Sequence, residues 1–147
     1  MAPGVLLQLV TSWHDPVSLA IRVTTRSRVS HAEFLLPDGS TLGAHAVGGV
    51  KLRPWRRDPD ETVLRFTAPG IDAAYQVALR QAGKPYDFLA IGGILLDRDW
   101  RDTRRWFCSE LVAWAFERAG APLLNPDAPA WRITPRDLLL SQQIRRV

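Results

Sequence analysis

Ser30-His31-Ala32-Glu33-Phe34-Leu35-Leu36-Pro37-Asp38-Gly39-Ser40-Thr41-Leu42-Gly43-Ala44-His45 is the stretch from which the fold is read. Ala32, Phe34 and Leu36 alternate with His31 and Glu33, so its first part is a strand with one apolar and one polar face. Pro37-Asp38-Gly39 has the chemistry of a three-residue hairpin loop: Pro and Asp suit a type I turn, and Gly takes the left-handed position that closes it. That loop pairs Leu36 with Ser40, which sets Phe34 against Leu42, Ala32 against Ala44 and His31 against His45. A two-residue Asp-Gly turn would shift the pairing by one and put His45 on the face opposite His31. The apolar matching favours the first register. Two histidines side by side on a polar face are not a packing device.

The second informative stretch is Trp106-Phe107-Cys108-Ser109-Glu110-Leu111-Val112-Ala113-Trp114-Ala115-Phe116, which holds the only cysteine. Leu111 with Ala115, and Val112 with Phe116 and Ala119, recur at helical spacing. Gly120, with Pro122 beyond it, supplies the stop. Cys108 therefore stands at or just before the first turn of a helix whose later turns face a core. The unpaired N–H groups and positive dipole end of a helix favour an anion, so a thiolate is easiest to make there.

A lone cysteine is most often inert packing, and a reactive one needs a basic partner. His31 offers it. Cys108 as nucleophile, His31 as base and His45 as orienting residue are the parts of a cysteine–histidine triad. Glu33, two residues from His31 on the same face, is the alternative orienting group. The Cys108 backbone N–H at the helix start is one candidate oxyanion donor. Tyr86 is a guess for the second, set against a plain reading as a half-buried core aromatic.

At 147 residues the chain reads as one domain, residues 1–147, large enough for a real core. A single cysteine excludes an internal disulfide and a Cys-rich zinc site, and suits a reducing compartment. The start of the chain has no basic n-region and too short an apolar run for a signal peptide. No stretch approaches the ~20 apolar residues of a membrane span. The expectation is a cytoplasmic protein. The net charge of +4 comes from 17 Arg against 2 Lys. Acidic residues are mixed into both Arg-and-Trp clusters, 53–61 and 97–106, which argues against nucleic-acid binding.

Elsewhere, residues 4–11 read as a buried strand, and Asp15-Pro16 caps a short helix to about Thr25. His14 is a polar loop residue. Val50–Arg53 and Thr62–Thr67 read as strands, and Asp72–Gln81 as a helix with Ala74, Val77 and Ala78 inward. Phe88–Leu96 reads as a buried helix and 97–105 as a charged loop. Thr134-Pro135 opens a short terminal helix. The fold class is α+β: an antiparallel sheet carrying His31, packed against a helix with Cys108 at its N-terminus.

These residues resemble a family. Ser30-His31-Ala32-Glu33 before a hairpin, then Tyr86-Asp87, then Phe107-Cys108-Ser109-Glu110-Leu111, is similar to the circularly permuted branch of the papain-like superfamily. That branch is related to NlpC-type cell-wall amidases and lecithin:retinol acyltransferase-like proteins, with YaeF/YiiX-type bacterial members closest. The permutation shows in the order, since His31 precedes Cys108. The resemblance implies a permuted papain-like fold and thiol-mediated hydrolysis or transfer at an amide, ester or thioester through an acyl-enzyme. Acyltransferase-like members use two histidines and a cysteine, which His31, His45 and Cys108 match; others carry Glu at the third position. It implies no cofactor. Zinc on His31, His45 and Cys108 is a thin case without a supporting outer shell. The implied substrate is a small peptide, a lipid or a muropeptide-like amide, and a phage origin would explain a cell-wall activity without an export signal. The alternative is an inactive fold member that binds a ligand or partner, for instance in a phage or secretion assembly.

Overall fold

A computed structural model describes residues 4–88 and 104–147. Six antiparallel strands form one sheet in the order β4-β3-β2-β1-β5-β6: β1 Leu6–Ser12, β2 His31–Leu35, β3 Ser40–His45, β4 Gly49–Pro54, β5 Glu61–Thr67 and β6 Arg145–Arg146. The helices are α1 Pro16–Thr25, α2 Ile71–Leu79, α3 Cys108–Arg118 and α4 Pro135–Leu139, with a 3-10 turn at Ala130–Arg132. No helix among the described residues is long and apolar enough to cross a membrane.

The β2–β3 hairpin has the expected register. Phe34 pairs with Leu42 and Leu35 with Thr41. Leu36 N–H donates to the Ser40 carbonyl at 2.8 Å, and Gly39, at φ +84°, closes the turn. One face of the sheet is therefore apolar: Leu7, Leu9, Ala32, Phe34, Leu42, Ala44 and Val50 are all buried.

α3 lies on that face over β2 and β3, with α2 beside it. Phe116 stacks on Phe34 at 6.0 Å between ring centroids, and Tyr75 of α2 meets Phe34 edge-on at 6.2 Å. The expected apolar stripe of α3 is the buried one, but Ser109, Glu110 and Ala113 are buried too, so its first two turns are enclosed almost all round.

The caps follow the side-chain chemistry. The Asp15 carboxylate accepts from Ser18 N–H, and Thr134 with Asp137 forms a full capping box on α4. Ser18 with Ile21 forms the inward edge of α1, because hydroxyl contacts dock this helix. One expectation needs adjusting. Tyr86 is buried more fully than a half-buried aromatic, held in a parallel bridge to Trp106. β6 pairs with β5 as a two-residue edge too short to show a sequence period. Most of the expected Phe88–Leu96 helix and 97–105 loop lie outside the described residues.

Replacing Phe116 by Ala removes the ring between sheet and helix, and large-to-small core changes of this kind cost about 3–5 kcal/mol. Urea denaturation should register a loss of that size. A loss under ~1 kcal/mol would mean that α3 does not depend on this contact.

Candidate active site

The polar face of the sheet starts from one row of residues. Arg65 on β5 lies opposite Gln8 on β1, and Gln8 lies opposite Glu33 on β2. Arg65 Nε donates to Gln8 Oε1 at 3.1 Å, and Gln8 Nε2 donates to Glu33 Oε1 at 2.8 Å. The other carboxylate oxygen, Oε2, faces His31 Nε2 at 3.2 Å and His45 Nε2 at 3.7 Å. Arg53 Nη2 stands 3.9 Å from the same oxygen. The two imidazoles pack together, ring centroids 4.7 Å apart, as the hairpin register requires.

Gly43 makes room for the carboxylate. A Cβ there would sit 2.9 Å from Glu33 Cβ and 3.4 Å from the Ala32 carbonyl oxygen. Gly49 does a similar service at the end of β4. With φ +70° and no side chain, it lets the Lys84 carbonyl approach where a Cβ would stand 2.2 Å from it, and Val50 N–H donates to that carbonyl at 2.8 Å. The chain then runs through Pro85 to Tyr86. Asp87 N–H donates to the Trp106 carbonyl at 2.9 Å, and Trp106 N–H donates to the Pro85 carbonyl at 3.0 Å. This bridge sets Tyr86 beside the residues that lead into α3.

α3 delivers Cys108 to the start of β2. Its thiol donates to the Ser30 carbonyl at 3.8 Å, which sets it next to His31, the following residue, closely enough to act on that imidazole. Ser30 is fastened in turn, its hydroxyl 2.6 Å from that of Ser18 on α1. Cys108 has no exposed surface, Glu33 is 1% exposed, and the His31 and His45 side chains are 19% and 8% exposed.

The polar face floors a cleft of about 760 Å³, walled by α1 and by the segment from Arg53 to Pro59. His31, Glu33, His45 and Tyr86 line it, whereas Cys108 lies behind them.

Charge follows this packing. Burial works against protonating His31, but its hydrogen bonds to Cys108 and Glu33 and the charge of both outweigh it and raise the imidazole to about 10. Burial also works against ionising Glu33, yet the His31 bond and the two nearby imidazoles bring its carboxyl down to about 2. His45 goes down to about 2, because it is buried and faces His31 and Arg53. Burial, then the charge of Cys108, raises the Tyr86 hydroxyl, which keeps its proton and can donate.

The five expected site residues thus come together. Of the two candidates for orienting group, Glu33 makes the hydrogen bond to His31, while His45 packs against the ring and its Nε2 has no hydrogen-bond partner. His31 Nε2, Glu33 and His45 also place three donor atoms within 4.8 Å of one another, a grouping able to hold a metal ion, and Cys108 is not part of it. Reading the sequence missed Gln8 and Gly43. Gln8 had a signal, being the one polar residue inside the apolar run Val5–Val10. Gly43 falls opposite Glu33 in the register already derived.

No protein-family model matches the chain, and no curated protein matches it. Among solved structures, the crystal structure of the metalloprotein YiiX from Escherichia coli O157:H7 matches with a TM-score of 0.71. The match covers 100% of this chain and 97% of that one at 19% identity. The two chains share a fold. That agrees with the YaeF/YiiX-type resemblance read from the motifs, in a mixed α+β architecture built on an antiparallel sheet.

Two outcomes are expected. Gly43→Ala should push Glu33 out of place and cost about 1–3 kcal/mol in urea denaturation, as overpacking does; an unchanged midpoint would contradict the tight fit. In chelator-treated protein the pH dependence should also be two-sided. The contribution of His45 is full above 6.5 and is lost as pH falls below it, while that of Glu33 is lost only from 4.5 down toward 2. The contribution of His31 is full below 6.5 and is lost as pH rises toward 10. His45→Gln should therefore flatten the acid limb between 6.5 and 4.5, and an unchanged limb would contradict a buried neutral His45.

Proposed function

We propose that this protein is a cysteine-dependent hydrolase or acyltransferase that acts on an amide, ester or thioester through an acyl-enzyme. The observation that carries this reading is the placement of Cys108, at a helix start, beside a histidine that is hydrogen-bonded to the buried carboxylate of Glu33. The thiol proton already rests on His31, and Cys108 Sγ attacks the acyl carbon as the thiolate of that ion pair. The tetrahedral intermediate collapses, the bond to the leaving group breaks, and His31 returns the proton to that group. A thioester remains on Cys108. Water or an acceptor hydroxyl or amine then gives its proton to His31 and displaces the acyl group, restoring the thiolate–imidazolium pair. Glu33 is the orienting group: its hydrogen bond to Nε2 at 3.2 Å orients the His31 ring, and its charge steadies the imidazolium. His45 fills the space beside that ring. The Cys108 N–H, one of the first helical N–H groups without an intrahelical acceptor, and the Tyr86 hydroxyl are the oxyanion donors.

A small peptide, a lipid or a muropeptide-like amide fits a cleft of about 760 Å³. YiiX is described as a metalloprotein. In this chain the donors suited to a cation are His31, Glu33 and His45, whose nitrogen and carboxylate chemistry fits a zinc-type ion and includes the unpartnered His45 Nε2. An ion bound there would supply a Lewis acid beside the cleft.

One observation favours a second reading, an inactive fold member that binds a ligand in the cleft: Cys108 is fully buried and is not on the cleft wall. Alkylation separates the two. On the enzyme reading, iodoacetamide modifies Cys108 of chelator-treated protein at least ~10-fold faster than it modifies the His31→Ala variant at pH 6.5, since the thiolate is the nucleophile and the imidazole supports it. Equal, slow rates in both proteins would sink the enzyme reading and leave the binding module.

A further inference from the structure

We propose that His31, Glu33 and His45 form a site for a zinc-type divalent ion that competes with Cys108 for His31, so that metal binding silences the thiol. The competition half of this inference rests on the function proposed above; the ion site itself does not.

The donor set is two imidazole nitrogens and one carboxylate oxygen, the ligand chemistry of open zinc and iron centres. Calcium and magnesium prefer all-oxygen shells. At zinc–ligand distances of about 2.0–2.2 Å, tetrahedral donors stand about 3.3 Å apart. Glu33 Oε2 already lies 3.2 Å from His31 Nε2 and 3.7 Å from His45 Nε2, and all three donor atoms fall within 4.8 Å of one another. His45 Nε2 is buried with no hydrogen-bond partner, an uncompensated cost that a metal ion would remove. Gln8, holding the second carboxylate oxygen at 2.8 Å, is the kind of outer partner that orients a ligating carboxylate. Two cations face the donors from β4: Arg53, 3.9 Å from Glu33 Oε2, and Lys51, whose charge reaches His45; both line the cleft and have it to move into. The open side of the cluster faces that cleft, which leaves room for a water or a substrate atom as the remaining ligand.

The consequence for Cys108 is a matter of lone pairs. His31 Nε2 cannot coordinate an ion and also carry a proton. With Nε2 on the metal, the ring's one remaining proton occupies Nδ1, and the imidazole can accept none from the thiol. The metal-bound site and the Cys108–His31 pair are alternative states of the same histidine.

The test uses chelator-treated full-length protein with Zn²⁺ in calorimetry and Co²⁺ in absorption spectroscopy. The expected result is one equivalent of zinc, bound at least ~10-fold more weakly by Glu33→Gln and by His45→Gln. Cys108→Ser should bind it as the native protein does, and the cobalt spectrum should lack a thiolate charge-transfer band. Thermal melts confirm that each variant is folded. Zinc should also slow iodoacetamide modification of Cys108 by at least ~10-fold, as loss of a thiol's base does. No binding by folded native protein overturns the site, and so does a thiolate–cobalt band that disappears in Cys108→Ser. Full alkylation speed with zinc bound overturns the competition. If zinc binds through the three residues while Cys108 is inert even without metal, the ion site stands and the thiol reading falls.

Discussion

A carboxylate in the middle of a β-sheet survives only when its charge and its lone pairs are answered from all sides. Glu33 meets that condition through neighbours on both flanking strands and its own. Gln8 takes one oxygen, His31 and His45 face the other, and Gly43 keeps the opposite position empty. Arg65, itself laid over the Trp55 ring at 4.8 Å, holds Gln8 in turn. Removing one member leaves a buried charge or an unpaired amide, which costs more than the lost contact. The polar face is therefore organised outward from Glu33, and His31 stands where this carboxylate holds it.

Cys108 reaches that cluster by a separate route. Its position is set by the packing of α3 on the apolar face and by the Tyr86–Trp106 bridge, neither of which involves Glu33. The two halves meet at His31. Cys108 itself is fully buried behind the cleft wall, where a thiol is shielded from casual oxidation.

Much of this was legible in the chain. The hairpin register followed from matching apolar residues across Pro37-Asp38-Gly39, and with it the contact of His31 with His45. The start of α3 at Cys108 followed from the Leu111 and Val112 periodicities, and both proline-led helices from their caps. Which neighbour holds His31 was not legible, because a two-residue offset along β2 and a cross-strand position on β3 place Glu33 and His45 on the same face. Only side-chain rotamers separate them. Glu33 as a shared third donor was missed for a related reason: zinc was weighed with Cys108 as the ligand, whereas the cysteine approaches from the helix side. Gln8 and Gly43 act through residues on other strands, so their roles emerge once the pairing is known. β6 is too short for any period to show.

The central claim is that Glu33 holds His31 as a charged imidazolium next to Cys108. Nitrogen-15 NMR of the imidazoles at pH 7.5, in chelator-treated native protein and in folded Glu33→Gln, tests it most directly. The account predicts that His31 carries protons on both ring nitrogens in the native protein and that the variant, without the carboxylate charge, shifts toward the neutral ring. A neutral His31 in the native protein, or an imidazolium indifferent to Glu33, would contradict it.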